Sequence, residues 1–279
     1  MLDRKAKVKE VRDLGAGNYL LTLSSPEQAR LVRPGQFLMI KCCEEIGGHP
    51  LLRRPFSVFA IHHHARTGKP IGFEILVKDA GVGTRKLAQM RPNQEIHILG
   101  PQGRPFQLSK EMGTEVRFAC LAAGGVGIAA LYLLARELIA LKVPPVLFYG
   151  ARTAQELVLR DYFERLGIET HYTTEDGSCG GHGLVTTPLA LFLKEHSREG
   201  IRMYACGPWA MMRAAHALAL RHNIPCEVSL EARMGCSLGA CMGCVVKANS
   251  DRGQGCYIRV CMEGPVMNSR MIDWERPPL

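Results

Sequence analysis

Five of the eleven cysteines lie between residues 236 and 261, and three of them, Cys236, Cys241 and Cys244, follow the spacing C-x4-C-x2-C. A tight loop with that spacing can carry three thiolates to a [2Fe–2S] cluster, which then needs a fourth cysteine further along the chain. Gly235, Gly239 and Gly243 give the loop the backbone freedom to wrap a cluster and aim N–H groups at its sulfurs. Cys256 and Cys261 both stand where the fourth ligand is needed, and spacing does not choose between them. A structural zinc site is the competing reading, but zinc sites usually pair two C-x2-C knuckles and only one is present. Unligated buried cysteines are the third reading.

Three glycine-containing turns could bind phosphate or line a nucleotide. Gly124, Gly125, Val126 and Gly127 lie between a strand pattern and a helix pattern, where a dinucleotide pyrophosphate meets a helix N-terminus. The run departs from G-x-G-x-x-G. No acidic residue ends the following strand, which instead runs into Tyr149, Gly150, Ala151 and Arg152. Gly83 and Thr84 open a short helix, where the threonine hydroxyl and backbone N–H groups suit a second phosphate. Cys206, Gly207 and Pro208 follow a strand at the sheet edge where ligands bind. Close packing is the plainer alternative for the turn at 124–127, and a simple strand-to-helix turn for that at 206–208.

These turns need a framework, and composition allows one. A chain of 279 residues that is 47% apolar and 22% charged has material for about two domains. The net charge of +9 is spread along the chain. That suits phosphate-rich ligands or an acidic partner surface and gives no basic tail for nucleic acid. The basic N-terminus is not followed by an apolar stretch, so no export signal is expected. A cytoplasmic, reducing location follows, in which clustered cysteines bind metal rather than pair. Residues 118–135 form an uncharged run of borderline spanning length. A buried strand, a glycine turn and a buried helix explain it, and no membrane insertion is expected.

Short β-rich runs at 8–11, 19–23, 37–41, 57–61, 72–77 and 95–99, with a helix near 85–90, predict a small antiparallel barrel over 1–108. Strands at 116–122, 146–149, 169–173 and 203–205 alternate with helices at 128–140, 154–166, 187–194 and 209–222. This predicts a doubly wound parallel α/β domain over 109–225. Residues 226–279 are too few for an ordinary core and are expected to be held by something covalent or metallic. His62, His63 and His64 are expected in a solvated hairpin loop, Cys42 and Cys43 on opposite faces of a strand, and Met211 and Met212 on the buried face of a helix.

In this order the motifs resemble the ferredoxin–NADP reductase superfamily. Arg54, Pro55, Phe56 and Ser57 look like its flavin-binding Arg-x-x-Ser strand, preceded by Pro34, Gly35, Gln36 and Phe37. Gly83 and Thr84 look like its flavin pyrophosphate turn, and the turns at 124–127 and 206–208 like its nicotinamide-nucleotide motifs. The run from Glu231 to Cys244, with Val260, Cys261, Gly264, Pro265 and Val266, is similar to the electron-transfer subunit family of dihydroorotate dehydrogenase B. Phe56 replaces a usual aliphatic residue, Gly103-Arg104-Pro105-Phe106 replaces a common Gly-Asn-Gly-Phe, and the loop after Cys244 is long.

The resemblance implies FAD, a [2Fe–2S] cluster and NAD(H), with Cys261 rather than Cys256 as the fourth ligand. It implies that Arg54 meets the flavin pyrophosphate, that Ser57 bonds the flavin near its reactive nitrogen, and that the backbone of Leu76, Val77 and Lys78 lines the flavin. Gly124 to Gly127 would face the NAD pyrophosphate and Cys206 to Pro208 the nicotinamide; residues 175–178 would touch the adenosine ribose, with a plain acidic turn as the alternative. The implied partner is an FMN-containing dihydroorotate dehydrogenase catalytic subunit in a heterotetramer, in pyrimidine biosynthesis. A subunit of a ferredoxin-dependent transhydrogenase or sulfhydrogenase is the alternative. Hydride and electron transfer require no general acid–base pair, and none is assigned. Arg152 leaves the choice between NADH and NADPH open.

Overall fold

The computed structural model describes residues 1–43, 48–108, 116–196, 200–249 and 256–277. The boundary expected near 108 adjoins residues 109–115, which lie outside the described residues. The first part is a closed barrel of β1 (Leu2–Gly15), β2 (Asn18–Ser24), β3 (Phe37–Ile40), β4 (Arg54–His63), β5 (Pro70–Lys78) and β6 (Glu95–Gln102). Their order around it is β1-β2-β5-β4-β3-β6, with all pairs antiparallel. Alternation builds it: β6 buries every second residue, and Ile96 and Ile98 join Val8, Leu21, Val58 and Ile75 inside. Helix α1 (Pro26–Ala29) follows β2, and α2 (Val82–Ala88) follows β5.

The second part is a seven-stranded sheet of β7 (Phe118–Gly124), β8 (Pro145–Ala151), β9 (Glu169–Thr174), β10 (Gly181–His182), β11 (Ile201–Cys206), β12 (Cys226–Ser229) and β15 (Val266–Asn268), in the order β10-β9-β8-β7-β11-β12-β15. Six strands run parallel, and β15 is an antiparallel edge against β12. The period of two along β7 divides the core. Cys120 and Ala122 face α5 (Thr186–Glu195), α6 (Trp209–Arg221) and the cysteine segment. Ala119, Leu121 and Ala123 face α3 (Tyr132–Ala140) and the barrel residues Leu20, Phe59, Leu76 and Phe106. Barrel and sheet are therefore joined by one apolar core, whose burial from water is the main force holding them.

Several expectations change. The segment after 225 is not held by metal alone: Cys244, Val246, Ile258, Val260, Met267, Ile272 and Trp274 share the sheet's core. Its hairpin, β13 (Val245–Lys247) with β14 (Tyr257–Arg259), lies outside the sheet. The helix expected over 154–166 is a 3-10 turn at Ala154–Glu156 and a short α4 (Arg160–Glu164), parted by Leu159 at a left-handed φ of 63°. The helix expected from 128 begins as 3-10 turns at Gly125–Ala130. His62 and His63 belong to β4, where His62 Nε2 lies 3.2 Å from Glu74 Oε1, and that carboxylate raises the imidazole's pKa. Cys42 and Cys43 follow the end of β3 and both are buried. No helix among the described residues is long and apolar enough to cross a membrane.

Residues 264–266 strap the cysteine segment to the barrel. Arg104 N–H donates to Gly264 O at 2.6 Å, and a Cβ on Gly103 (φ 78°) would lie 2.3 Å from Pro265 Cδ. A Gly103→Ala substitution should therefore lower the unfolding free energy by more than the roughly 1–2 kcal/mol that a left-handed L-residue costs. Gly68→Ala, at φ 65° with nothing within 4 Å, should cost that conformational amount alone. Denaturant unfolding of both variants checks this, and equal losses would show that the strap is not tight.

Candidate functional site

At the carboxyl ends of the parallel strands lies a cleft of about 620 Å³, the edge on which such sheets bind ligands. Gly124, Gly125, Val126 and Gly127 line its centre, and Gly207 and Pro208 line one side. The two turns touch because neither carries side chains there. A Cβ on Gly127 would lie 2.3 Å from Cys206 O, and one on Gly207 would lie 2.8 Å from Gly124 N. The first N–H groups of the 3-10 turn have no partner within it, which suits an anion.

Cys206 itself does not line the cleft. It is 2% exposed, and burial pushes its thiol pKa up, so it supports the turn from beneath. Met212 is buried as expected, whereas Met211 is half-buried and both line the cleft. The cleft also brings in residues that sequence reasoning passed over. Glu231 is open to solvent at its surface yet sits within the concavity, and this desolvation raises its carboxyl pKa. Glu156 lies four residues after Arg152, a spacing that could have revealed the pair. Glu175, expected beside the adenosine ribose, lines the same side.

The expected flavin residues occupy adjoining strands of the barrel. Val58 pairs with Ile75, so Ser57 and Leu76 lie one step beyond that pair. Arg54, Pro55, Phe56 and Ser57 are half-exposed in a strand that buries Val58, Phe59 and Ala60. An uncovered stretch of that kind can receive a planar ligand. Arg54 Nη1 donates to Leu52 O at 2.8 Å, which orients the guanidinium. Leu76 and Val77 are buried, so only their backbone can face a ligand, while Lys78 reaches the cleft.

The Thr84 hydroxyl is already engaged. It donates to Gly81 O at 2.9 Å and accepts from Ala80 and Gly81 N–H at 2.9 and 3.1 Å. It shapes the turn, leaving the backbone to meet a phosphate. A Cβ on Gly83 would press on Pro50 Cγ at 3.1 Å.

The cysteine loop supplies the N–H···S bonds anticipated for it. Leu238 and Cys241 N–H donate to Cys236 Sγ at 3.3 and 3.4 Å, and Gly243 N–H donates to Cys241 Sγ at 3.5 Å. Those backbone donors lower the Cys236 pKa to about 6, favouring the thiolate that binds metal. Cys261 N–H donates to Cys244 Sγ at 3.4 Å.

The hairpin register explains why Cys261 is the one that meets Cys244. Cys244 precedes β13 and Cys261 follows β14, so both sit at one end. Ala248 N–H donates to Cys256 O at the other end. Arg259, another residue missed in the sequence, holds the loop by donating to Gly239 O at 3.3 Å and to Glu263 Oε1 at 3.2 Å. Backbone N–H groups thus reach three of the four sulfurs, those of Cys236, Cys241 and Cys244. Among the described residues no three Cys, His, Asp or Glu side chains are yet drawn together tightly enough to hold a metal ion. The four-thiol donor set lined by N–H groups nonetheless fits an iron–sulfur cluster.

Residues 231–273 match the iron–sulfur cluster binding domain of dihydroorotate dehydrogenase B, and residues 121–217 match the oxidoreductase NAD-binding domain. The chain is 36% identical over 273 residues to the dihydroorotate dehydrogenase B (NAD(+)) electron transfer subunit of Desulforamulus reducens, covering 97% of this chain and 98% of that one. The chain belongs to this family of electron transfer subunits. A second member, from Bacillus caldolyticus, is 37% identical over 263 residues, covering 94% and 95%.

Among solved structures, an NADH-dependent reduced ferredoxin–NADP oxidoreductase studied for flavin-based electron bifurcation superposes with a TM-score of 0.79 at 27% identity, covering 97% of this chain and 90% of that one. A ferredoxin–NADP+ reductase from Neisseria gonorrhoeae with bound FAD and NADP shares the fold, with a TM-score of 0.61, 18% identity and coverage of 79% and 91%. The family's cofactor set is FAD, [2Fe–2S] and NAD(H), which the three sites suit.

The register yields a direct test of the fourth ligand. Cys261→Ser should abolish the EPR signal of the reduced cluster, whereas Cys256→Ser should leave it. The reverse pattern would overturn the assignment.

Proposed function

We infer that this chain is the electron-transfer subunit of an NAD-linked dihydroorotate dehydrogenase, serving pyrimidine biosynthesis beside an FMN-containing catalytic subunit. The observation that carries this reading is the 36% identity to a named electron transfer subunit across 98% of that subunit's length. When bound, FAD exchanges an electron pair as hydride with NAD(H) and single electrons with a [2Fe–2S] centre, which links the nicotinamide to the catalytic subunit. Orotate chemistry belongs to the catalytic subunit, and a heterotetramer is the assembly we propose.

The chain's own residues divide this work over 1–108, 109–225 and 226–279. The Arg54 guanidinium would neutralise the flavin pyrophosphate, since its forked donors suit phosphate oxygens. Pro55, Phe56 and Ser57, with the backbone of Leu76, Val77 and Lys78, would hold the isoalloxazine, and the backbone at Gly83 and Thr84 the phosphates. Gly124, Gly125, Val126 and Gly127 would receive the NAD pyrophosphate. Gly207 and Pro208 would position the nicotinamide over Cys206. Cys236, Cys241, Cys244 and Cys261 would ligate the cluster. Supporting this division, the barrel and the sheet share one core, so the flavin strand and the cleft are held against each other. A cytoplasmic location is part of this reading, since cysteines that serve as cluster ligands belong in a reducing compartment.

The 27% identity to the bifurcating oxidoreductase favours a second reading, a subunit of a ferredoxin-linked complex. Anaerobic capture of the tagged chain from its native cells separates the two. Co-purification of an FMN-containing dihydroorotate dehydrogenase subunit is expected. A ferredoxin-linked or hydrogenase subunit in its place would overturn the pathway.

Leu238, Met242 and Met262 are 46–51% exposed around Cys241, an apolar rim through which electrons can leave. The double variant Met242→Glu, Met262→Glu should lower dihydroorotate-dependent NADH formation by about tenfold or more. NADH–dye reduction, which needs only the flavin and the cleft, should persist, and stopped assays of both activities check this.

A further inference from the structure

The sequence leaves the coenzyme's 2′ position undecided because Arg152 follows β8 where an adenosine ribose would lie. The structure shows what holds that arginine. Its Nε donates to Glu156 Oε2 at 3.0 Å and its Nη2 to Glu156 Oε1, a forked pair that occupies the carboxylate on both oxygens. The barrel contributes a second cation to the same carboxylate, with Lys78 Nζ 3.6 Å from Glu156 Oε1. Exposed ion pairs usually organise little, but this one is built in. The Glu156 side chain is only 16% exposed, against 69% for Arg152. Its carbonyl accepts from the Tyr149 hydroxyl at 3.2 Å, and Tyr149 is fully buried. Its N–H donates to Thr153 O at 3.1 Å in the 3-10 turn. Glu175 lines the same side of the cleft and adds a second negative charge.

We propose that Glu156 is the residue that sets coenzyme choice, by holding Arg152 and Lys78 so that the cleft does not read a 2′-phosphate. This rests on the proposed placement of the dinucleotide, with the pyrophosphate on residues 124–127, the nicotinamide beside Gly207 and the adenosine beside Arg152. Two cations and two carboxylates then meet the ribose, and their charges cancel. A 2′-hydroxyl is accommodated without rearrangement. A 2′-phosphate must displace Glu156 from its fork and meets Glu175 as well.

The test uses the full holoprotein and the ratio of kcat/KM for NADPH to that for NADH in dye reduction. Glu156→Gln keeps the shape and removes the countercharge. It should raise the ratio by about tenfold or more, the worth of one charge-assisted hydrogen bond. Adding Arg152→Ala to that variant should remove most of the gain, leaving what the freed Lys78 supplies, and Arg152→Ala alone should not raise the ratio. An unchanged ratio in Glu156→Gln, with flavin content and NADH KM intact, would overturn the proposal. If kcat for both coenzymes falls together at an unchanged ratio, Glu156 faces the hydride-transfer end, and the placement itself is wrong. A measurement on the wild-type holoprotein guards against a variant that fails to fold, with ADP and 2′,5′-ADP as competitive inhibitors against NADH. ADP should inhibit at least as well, and tighter inhibition by 2′,5′-ADP would show that the 2′-phosphate is read despite the pair.

Discussion

The backbone of Gly264, Pro265 and Val266 is bonded in two directions at once. Towards the barrel, Gly264 O accepts from Arg104 N–H at 2.6 Å. Towards the sheet, Pro265 O accepts from Leu230 N–H at 2.9 Å, and Val266 pairs with Ser229. Cys261 lies three residues earlier and donates to Cys244 Sγ. One short strap therefore ties the cysteine loop to the barrel and to the parallel sheet. Gly35 and Gly103 make room for it: a Cβ on Gly35 would lie 2.7 Å from both Phe106 and Val266 side-chain atoms. Electron transfer requires the redox groups to stay at fixed separations, and this strap is the element that constrains all three sites together.

The strap works because the surfaces it joins are already packed. Phe106 and Val266 share the apolar core that carries Phe59 and Leu76 of the barrel and Leu121 and Tyr204 of the sheet. Tyr204 is also hydrogen-bonded across the junction, donating its hydroxyl to Gln107 O at 2.9 Å. Behind it, the buried Arg202 lies 3.3 Å from Glu227, and Glu227 accepts from Gln107 N–H at 3.0 Å. The junction is thus apolar at its centre and polar at one edge. That combination fixes orientation as well as contact, since hydrogen bonds are directional and apolar burial is not.

Much of this was legible in the sequence, for physical reasons. Period-two burial and turn residues announced the barrel, and alternating strands and helices announced the sheet. The three-cysteine spacing announced the loop whose N–H groups now point at Cys236 and Cys241. What stayed hidden depended on distant partners. Nothing local shows that residues 266–268 return to pair with β12, so the last segment read as a separate unit. The Leu159 break could not be seen in a run with helical periodicity. Cys206 looked like a cleft residue, but its side chain is packed into the apolar core beneath the turn. Thr84 looked like a phosphate donor, but its hydroxyl is spent on its own turn. Glu156 and Arg259 escaped notice because an acidic or basic residue near a loop is unremarkable until its fork is seen to close.

The chain's role is to join NAD(H) to the catalytic subunit of the dehydrogenase. The most direct measurement mixes the purified holoprotein anaerobically with the FMN-containing catalytic subunit and follows NADH absorbance after dihydroorotate is added. NADH should form only when both chains are present, at a rate that saturates as they reach a fixed ratio. NADH formation by the catalytic subunit alone, or none with both chains carrying their full cofactor content, would contradict the account.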